Sequence, residues 1–228
     1  MKTTLTSLLA GICIVGATGC GHYPSHLTSR RDIEHTSRSE THVTVLGVTT
    51  EDYPALSKFK TLYEFDLDAG GTDDQLEALA RIGFTNLAEI VLTDCPQVTD
   101  KGLVSLVRIP TLKGLGLRGT SIGDAGCRVI ASQMKLQEVN LPNCPKVTIN
   151  GLLALAQSDT IEYLGFSLNE LTQADLIQLF RATRRVNHIE IDIVGDADKR
   201  LNLPELRNAA QAKSIMLLGV RDHVALSL

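Results

Sequence analysis

Few residues of this chain stand at spacings that support chemistry. Gly114-Leu115-Gly116-Leu117-Arg118-Gly119 matches G-x-G-x-x-G, the loop that cradles a dinucleotide pyrophosphate. That loop must follow a strand and open a helix. Here Leu115 and Leu117 alternate as the inward residues of a strand do, so the glycines are read as lying on the strand itself. His22, His26, His35 and His42 are dense enough to raise the question of a metal. Their irregular spacing, with no adjoining Cys and no paired-His motif, makes them solvated histidines of a linker instead. His188 and His223 have no recognisable nucleophile partner, and the chain contains no P-loop, G-x-S-x-G, H-E-x-x-H or C-x-x-C. No catalytic residue, metal site, cofactor or small-molecule substrate is expected.

The elements that carry these residues come from a repeat. Leu62/Phe65/Leu67, Leu87/Ile90/Leu92, Leu112/Leu115/Leu117, Leu136/Val139/Leu141, Ile161/Leu164/Phe166 and Val186/Ile189/Ile191 share the pattern L-x-x-L-x-L, with first positions spaced 25, 25, 24, 25 and 25. Weaker copies flank them at Val43/Leu46/Val48 and Ile215/Leu218/Val220. The phrases that follow also align: Cys95-Pro-Gln-Val98-Thr99-Asp-Lys-Gly102-Leu103 with Cys144-Pro-Lys-Val147-Thr148-Ile-Asn-Gly151-Leu152, and between them Thr120-Ser-Ile122-Gly-Asp124-Ala-Gly126-Cys127. Asn169-Glu-Leu171-Thr172-Gln-Ala-Asp-Leu176 continues the series. Alternation in L-x-L suits a strand with one buried face, and Leu76/Leu79, Leu103/Leu106, Ile130/Met134, Leu152/Leu155 and Leu176/Leu179 have helical spacing. A single strand–helix coil cannot bury its apolar side, so neighbouring coils must stack.

This pattern resembles the leucine-rich-repeat family, in particular its cysteine-containing subclass, over residues 43–228 and best over 62–183. The resemblance implies an α/β solenoid, with a curved parallel sheet on the concave side and helices on the convex side. It also implies that Cys95, Cys144 and Asn169, with Gly70 and Thr120, fill the slot where the chain turns off the strand. Cys95 and Cys144 would then lie two strands apart, about 10 Å, beyond the roughly 7 Å Cα separation a disulfide allows. Cys127 takes a Leu slot of the helical layer, so all three are expected as buried free thiols. The family binds protein partners on the concave face. The outward positions give that face Glu64, Asp66 and Asp68, then Glu89, Arg118, Glu138 and Asn140, then Tyr163, His188, Glu190 and Asp192. It is acidic towards both ends, and a basic or extended protein segment is the partner it would suit.

Residues 1–19 read as a signal peptide: Lys2, an apolar run from Leu8 to Val15 too short to span a bilayer, then small residues. Ala17-Thr18-Gly19-Cys20 resembles a bacterial lipobox, which implies lipidation on Cys20 and anchoring to a membrane on the extracytoplasmic side of the cell envelope. Residues 20–41 read as a lipidated Cys and flexible tether, 42–228 as the repeat domain, and about 192–228 as its C-terminal cap. Arg181, Arg184, Arg185, Lys199 and Arg200 form a loose basic cluster there, read as a solvated helix end. With 228 residues, net charge -4, five Phe, four Tyr and no Trp, the chain lacks the basic footprint of a nucleic-acid binder and needs an aliphatic core. The expectation is a protein-binding lipoprotein without enzymatic activity. A secreted effector or inhibitor using the same solenoid, and a self-associating structural protein of the envelope, are the alternatives.

Overall fold

The computed structural model describes residues 25–193, 201–221 and 224–227. The signal segment, Cys20, Lys199 and Arg200 lie outside them. Strand follows strand in one sheet: β1 (Ser25–Leu27), β2 (His42–Val45), β3 (Glu64–Asp68), β4 (Glu89–Thr93), β5 (Gly114–Arg118), β6 (Glu138–Leu141), β7 (Tyr163–Ser167), β8 (His188–Ile193) and β9 (Met216–Arg221). All nine are parallel, and β10 (Val224–Ser227) closes the end antiparallel to β9. Between them run α1 (Arg30–His35), a 3-10 helix (Thr50–Lys58), α2 (Asp73–Arg81), α3 (Asp100–Leu106), α4 (Asp124–Gln133), α5 (Ile149–Ala156), α6 (Gln173–Ala182) and α7 (Leu203–Gln211). Paired strands sit about 4.8 Å apart whereas packed helices need roughly 8–10 Å, so such a stack curves with the sheet inside. This is the α/β repeat solenoid expected from the pattern. None of its described helices is long and apolar enough to cross a membrane.

The core is a set of continuous rows. Phe65, Ile90, Leu115, Val139, Leu164 and Ile189 stand in register across six strands, all buried. Leu76/Leu79, Leu103/Leu106, Cys127/Ile130, Leu152/Leu155 and Leu176/Leu179 meet them from the helices. Among the described residues, Cys95, Cys127 and Cys144 are buried and free, as expected. The Cys95 and Cys144 thiols donate to the carbonyls of Leu67 (3.3 Å) and Leu117 (3.0 Å), and the Thr120 hydroxyl also reaches Leu117 (2.9 Å). The turn itself begins one residue earlier, at left-handed Ala69, Asp94, Gly119 and Asn143. Gly119 has a second reason to lack a side chain, since a Cβ would stand 2.6 Å from Asp94 Oδ1.

The helix starts are tied from coil to coil. Asp73 accepts from the Thr99 amide (2.8 Å), the Thr99 hydroxyl (2.7 Å) and the Gly102 amide (3.1 Å). Asp100 accepts from the Gly123 amide at 2.7 Å. Asp124 repeats the first set with the Thr148 amide, the Thr148 hydroxyl and the Gly151 amide, at 2.8, 2.7 and 3.1 Å. Each aspartate lies against the first turn of the next helix, and a Cβ at Gly102, Gly126 or Gly151 would come within 2.5, 2.5 or 2.6 Å of its Oδ1. The starts of α2 and α6 are different. Their own third residues, Gln75 and Asp175, bond back to the capping Thr72 and Thr172 amides at 3.0 and 2.8 Å.

Three expectations need correction. The stretch from residue 25 is not a tether but the first coil: β1 pairs with β2, and Leu27 and Ile33 are buried. Lys58 fixes it by donating to the carbonyls of Ile33, Glu34 and Thr36. Both flanking copies are out of phase. Val43 pairs with Phe65 and not with a first-position residue, which leaves Leu46 exposed, and Leu217 rather than Leu218 pairs with Ile189. Finally, residues from 192 onward are not only a cap, because β8, α7 and β9 form another coil and β10 alone breaks the parallel order.

Candidate functional site

The outward residues of the strands form straight rows on the open face. One runs His42, Glu64, Glu89, Gly114, Glu138, Tyr163, His188, Met216; the next runs His26, Thr44, Asp66, Val91, Gly116, Asn140, Gly165, Glu190, Leu218. The face therefore divides into an acidic half over β2–β6 and a more aromatic half over β7–β9.

In the acidic half, His42 Nε2 lies 2.7 Å from Asp66 Oδ2 and Nδ1 lies 3.7 Å from Glu64 Oε2. The Thr44 hydroxyl donates to the same Asp66 oxygen at 3.4 Å. Burial pulls the His42 imidazole down, but its bond to Asp66 and the charges of Asp66, Glu64 and Glu89 outweigh this and hold its pKa above the ordinary value. Burial lifts Glu64 to about 7; His42 opposes the shift, while Asp66 and Glu89 add to it. Glu138 is raised too, by burial and then by Glu89 and Glu162. Glu89 is only 6% exposed and accepts from the Tyr63 hydroxyl at 3.4 Å. A shallow groove of about 870 Å³ borders this half along the strand starts, lined by His42, Tyr63, Glu64, Ala88, Lys113 and their neighbours.

In the other half, the buried Tyr163 hydroxyl donates to Glu190 at 2.9 Å, and its ring stands 4.9 Å from that of His188. Neither ring nitrogen of His188 has a hydrogen-bond partner among the described residues, and burial pulls its pKa down, so it is neutral at physiological pH. Arg118 reaches Asp192 at 4.0 Å, and the Asn140 amide fills the space a Cβ would need at Gly165. Beside the face, a cleft of about 530 Å³ opens between the starts of α5 and α6, lined by Cys144, Val147, Ile149, Phe166, Leu171 and Asp175 among others.

Alternation placed Glu64, Asp66, Asp68, Glu89, Arg118, Glu138, Asn140, Tyr163, His188 and Glu190 on one face, and they are there. It did not separate the carboxylates, which gather over β3–β6, from Tyr163, His188 and Glu190, which form a second group. It also missed His42, read as a linker histidine. The signal for His42 was its place two residues before Thr44 in a polar–apolar alternation, on a strand shifted relative to the repeat. Of the basic cluster, Arg184 and Arg185 pair with Asp159 (3.2 Å) and Glu162 (2.6 Å). The thiols are not reactive groups: burial pushes Cys95 and Cys144 upward and Cys127 to about 12.

No family model matches the chain, and no curated protein matches it in sequence. Among solved structures it is similar to a chain in the crystal structure of the Rad7 and Elc1 complex in yeast, with TM-score 0.51 and 15% identity over 82% of this chain. It spans 65% of that neighbour's length. At that identity the likeness bears on fold alone. A chain of the dipeptide epimerase of Enterococcus faecalis V583, complexed with Mg and the dipeptide L-Leu-L-Tyr, matches over 78% of this chain and 45% of its own at 10% identity, but the TM-score of 0.32 carries no argument.

Proposed function

We propose that this chain is a leucine-rich-repeat protein that binds a basic, extended segment of another protein on the open face of its sheet, without chemistry of its own. One observation carries the reading. Glu64, Asp66, Asp68, Glu89 and Glu138 stand on one face at strand spacing, and the fold spends burial on holding them there. Carboxylates crowded onto a rigid surface repel one another, and a partner's Lys or Arg side chains would relieve that repulsion while setting register. The groove along the strand starts leaves room for a chain to lie across β2–β5.

The test is capture from a native envelope fraction with residues 21–228 as bait, beside the same bait neutralised by Glu64→Gln, Asp66→Asn, Glu89→Gln and Glu138→Gln. A protein held by the first, lost by the second and eluted by moderate salt supports the reading. Equal capture by both baits sinks it. The same proposal takes Cys20 as the lipid anchor outside the cytoplasm. Cys20→Ser should then move the protein from the membrane fraction to the soluble one, and unchanged fractionation would remove the anchor from the reading.

A further inference from the structure

The geometry points to a second property of the acidic half, independent of any protein partner: we propose that His42, Glu64 and Asp66 bind a first-row divalent transition ion such as Zn²⁺. His42 and Glu64 stand directly opposite each other on β2 and β3, and Asp66 follows two residues on, on the same face. One ligand atom from each lies within 4.8 Å of the others. Zn–N and Zn–O bonds of roughly 2.1 Å put neighbouring ligand atoms about 3.4 Å apart. The His42 Nε2–Asp66 Oδ2 separation of 2.7 Å lies below that value and would open as an ion enters, whereas Glu64 stands 3.7 Å from the other ring nitrogen, Nδ1, and must turn towards Nε2. The ion would take the place of the proton held between His42 Nε2 and Asp66 Oδ2, and Glu64, with the longest of the two carboxylate side chains, swings to close the triangle.

The donor set is mixed, one imidazole nitrogen with two carboxylates, which suits Zn²⁺, Mn²⁺ or Fe²⁺ over Ca²⁺ and Mg²⁺ with their all-oxygen shells. An independent observation bears on the same place. Asp66 Oδ1 is buried and has no hydrogen-bond partner among the described residues, because the bonds from His42 and Thr44 both fall on Oδ2. A simple His42–Asp66 ion pair accounts for Oδ2 and leaves Oδ1 without a partner, whereas a cation chelated by both Asp66 oxygens uses it, with Glu64 as the third ligand. A buried carboxylate oxygen without a partner is costly, and a cation satisfies it. Thr44 then acts as the outer group that orients a ligating carboxylate. The groove lined by His42 and Glu64 gives an ion access and leaves its remaining positions open to water.

The experiment uses the purified full mature chain, stripped with chelator and then titrated with Zn²⁺ in a calorimeter and with Co²⁺ in the visible spectrum. One ion per chain is expected, with Kd of about 10 µM or tighter and a Tm that rises with Zn²⁺ concentration. His42→Ala and Asp66→Asn should each weaken binding by about 10–100-fold. A variant with His22, His26 and His35 all replaced by Ala should bind as the parent does. Binding that follows those three histidines, or no saturable binding at all, overturns the site. Should His42→Ala fail to fold, Zn²⁺-induced shifts of the His42 imidazole ¹⁵N resonances in the unaltered protein decide: movement of His42 supports the site, and an unmoved His42 in a Zn²⁺-saturated sample refutes it.

Discussion

The starts of α3, α4 and α5 are held from outside, by an aspartate of the preceding coil, while those of α2 and α6 are held from within, by their own third residue. Every helix start leaves amide groups without an intrahelical partner, so both arrangements answer the same need. What separates them is a side chain's presence at the third position. Glycine at 102, 126 and 151 lets a neighbour's carboxylate approach; Gln75 and Asp175 fill the same space and cap themselves. The consequence reaches beyond the caps. The external ties stitch one coil to the next, and where the series would continue, Ile149 stands in the aspartate's place and the cleft of about 530 Å³ lies beside it. Cohesion between coils is therefore not uniform along the stack.

The contrast can be broken most sharply at Gly126. In Gly126→Val, Cβ would stand 2.5 Å from Asp100 Oδ1 and 2.8 Å from Leu103 Cδ1, and we expect a loss of about 3 kcal/mol in urea unfolding from overpacking and a displaced cap. Asp175→Val, at the matching position of α6, should cost only about 1 kcal/mol, since it removes a cap and meets no neighbour. Next comes Asp124→Ala, which strips the Thr148 and Gly151 amides of a shared acceptor. About 2 kcal/mol is expected, with faster hydrogen exchange at those two amides and none at Thr172. If exchange at Thr172 accelerates equally, the two arrangements are not independent.

A smaller effect sharpens the comparison instead. Ile149→Asp alone should not stabilise, because the new carboxylate enters a cleft that already holds Asp175. Combined with Asp175→Gly it rebuilds the external tie, and the pair should show a favourable coupling of about 1 kcal/mol in a double-mutant cycle. Additivity within error would mean the glycine rule does not extend to α6. The smallest effect tests carboxylates on the sheet face, which crowd each other, against those of the ties, which accept amide bonds. Glu138 has its pKa raised in the folded state by burial, then by Glu89 and Glu162. Its contribution to stability is thus fully present below the unfolded carboxylate value and is lost as pH rises through the folded one. Glu138→Gln should therefore gain on the parent as pH rises above the unfolded carboxylate value, read from unfolding midpoints, whereas Asp124→Asn should not.

Much of this architecture is legible in the sequence, for a physical reason. The inward residues of successive strands touch one another, so they recur as Leu, Ile, Val or Phe at intervals of 24 or 25 residues through the middle of the chain. At the ends the interval changes: Val43 pairs with Phe65 across 22 residues and Ile189 with Leu217 across 28. A pattern counted at 25 residues loses phase there, which is why the first coil passed for a tether and His42 for a linker residue. The first coil also has too little to count, since its strand holds three residues and its helix six. On the face, alternation gives side but not company: it placed Glu64 and Asp66 outward without the register that sets His42 between them. Asp73, Asp100 and Asp124 were visible as letters, but they act on residues 23 to 29 positions later, and their meaning exists only once helices lie side by side.

The pairing of an aspartate at one helix start with a glycine at the next also has a consequence for how such a chain can change length. A unit that carries both, as the α3 and α4 coils do, presents the same joint on its two sides. A duplicated copy could be spliced between its neighbours with no new contact to invent. The coil whose helix begins with Ile149 and the next, whose helix carries Asp175 at its third position, offer no such joint to each other, so an insertion there would need two matched substitutions at once. Gln75 and Asp175 thus work as punctuation: between them the solenoid can be lengthened or shortened by whole coils, and outside them its length is set.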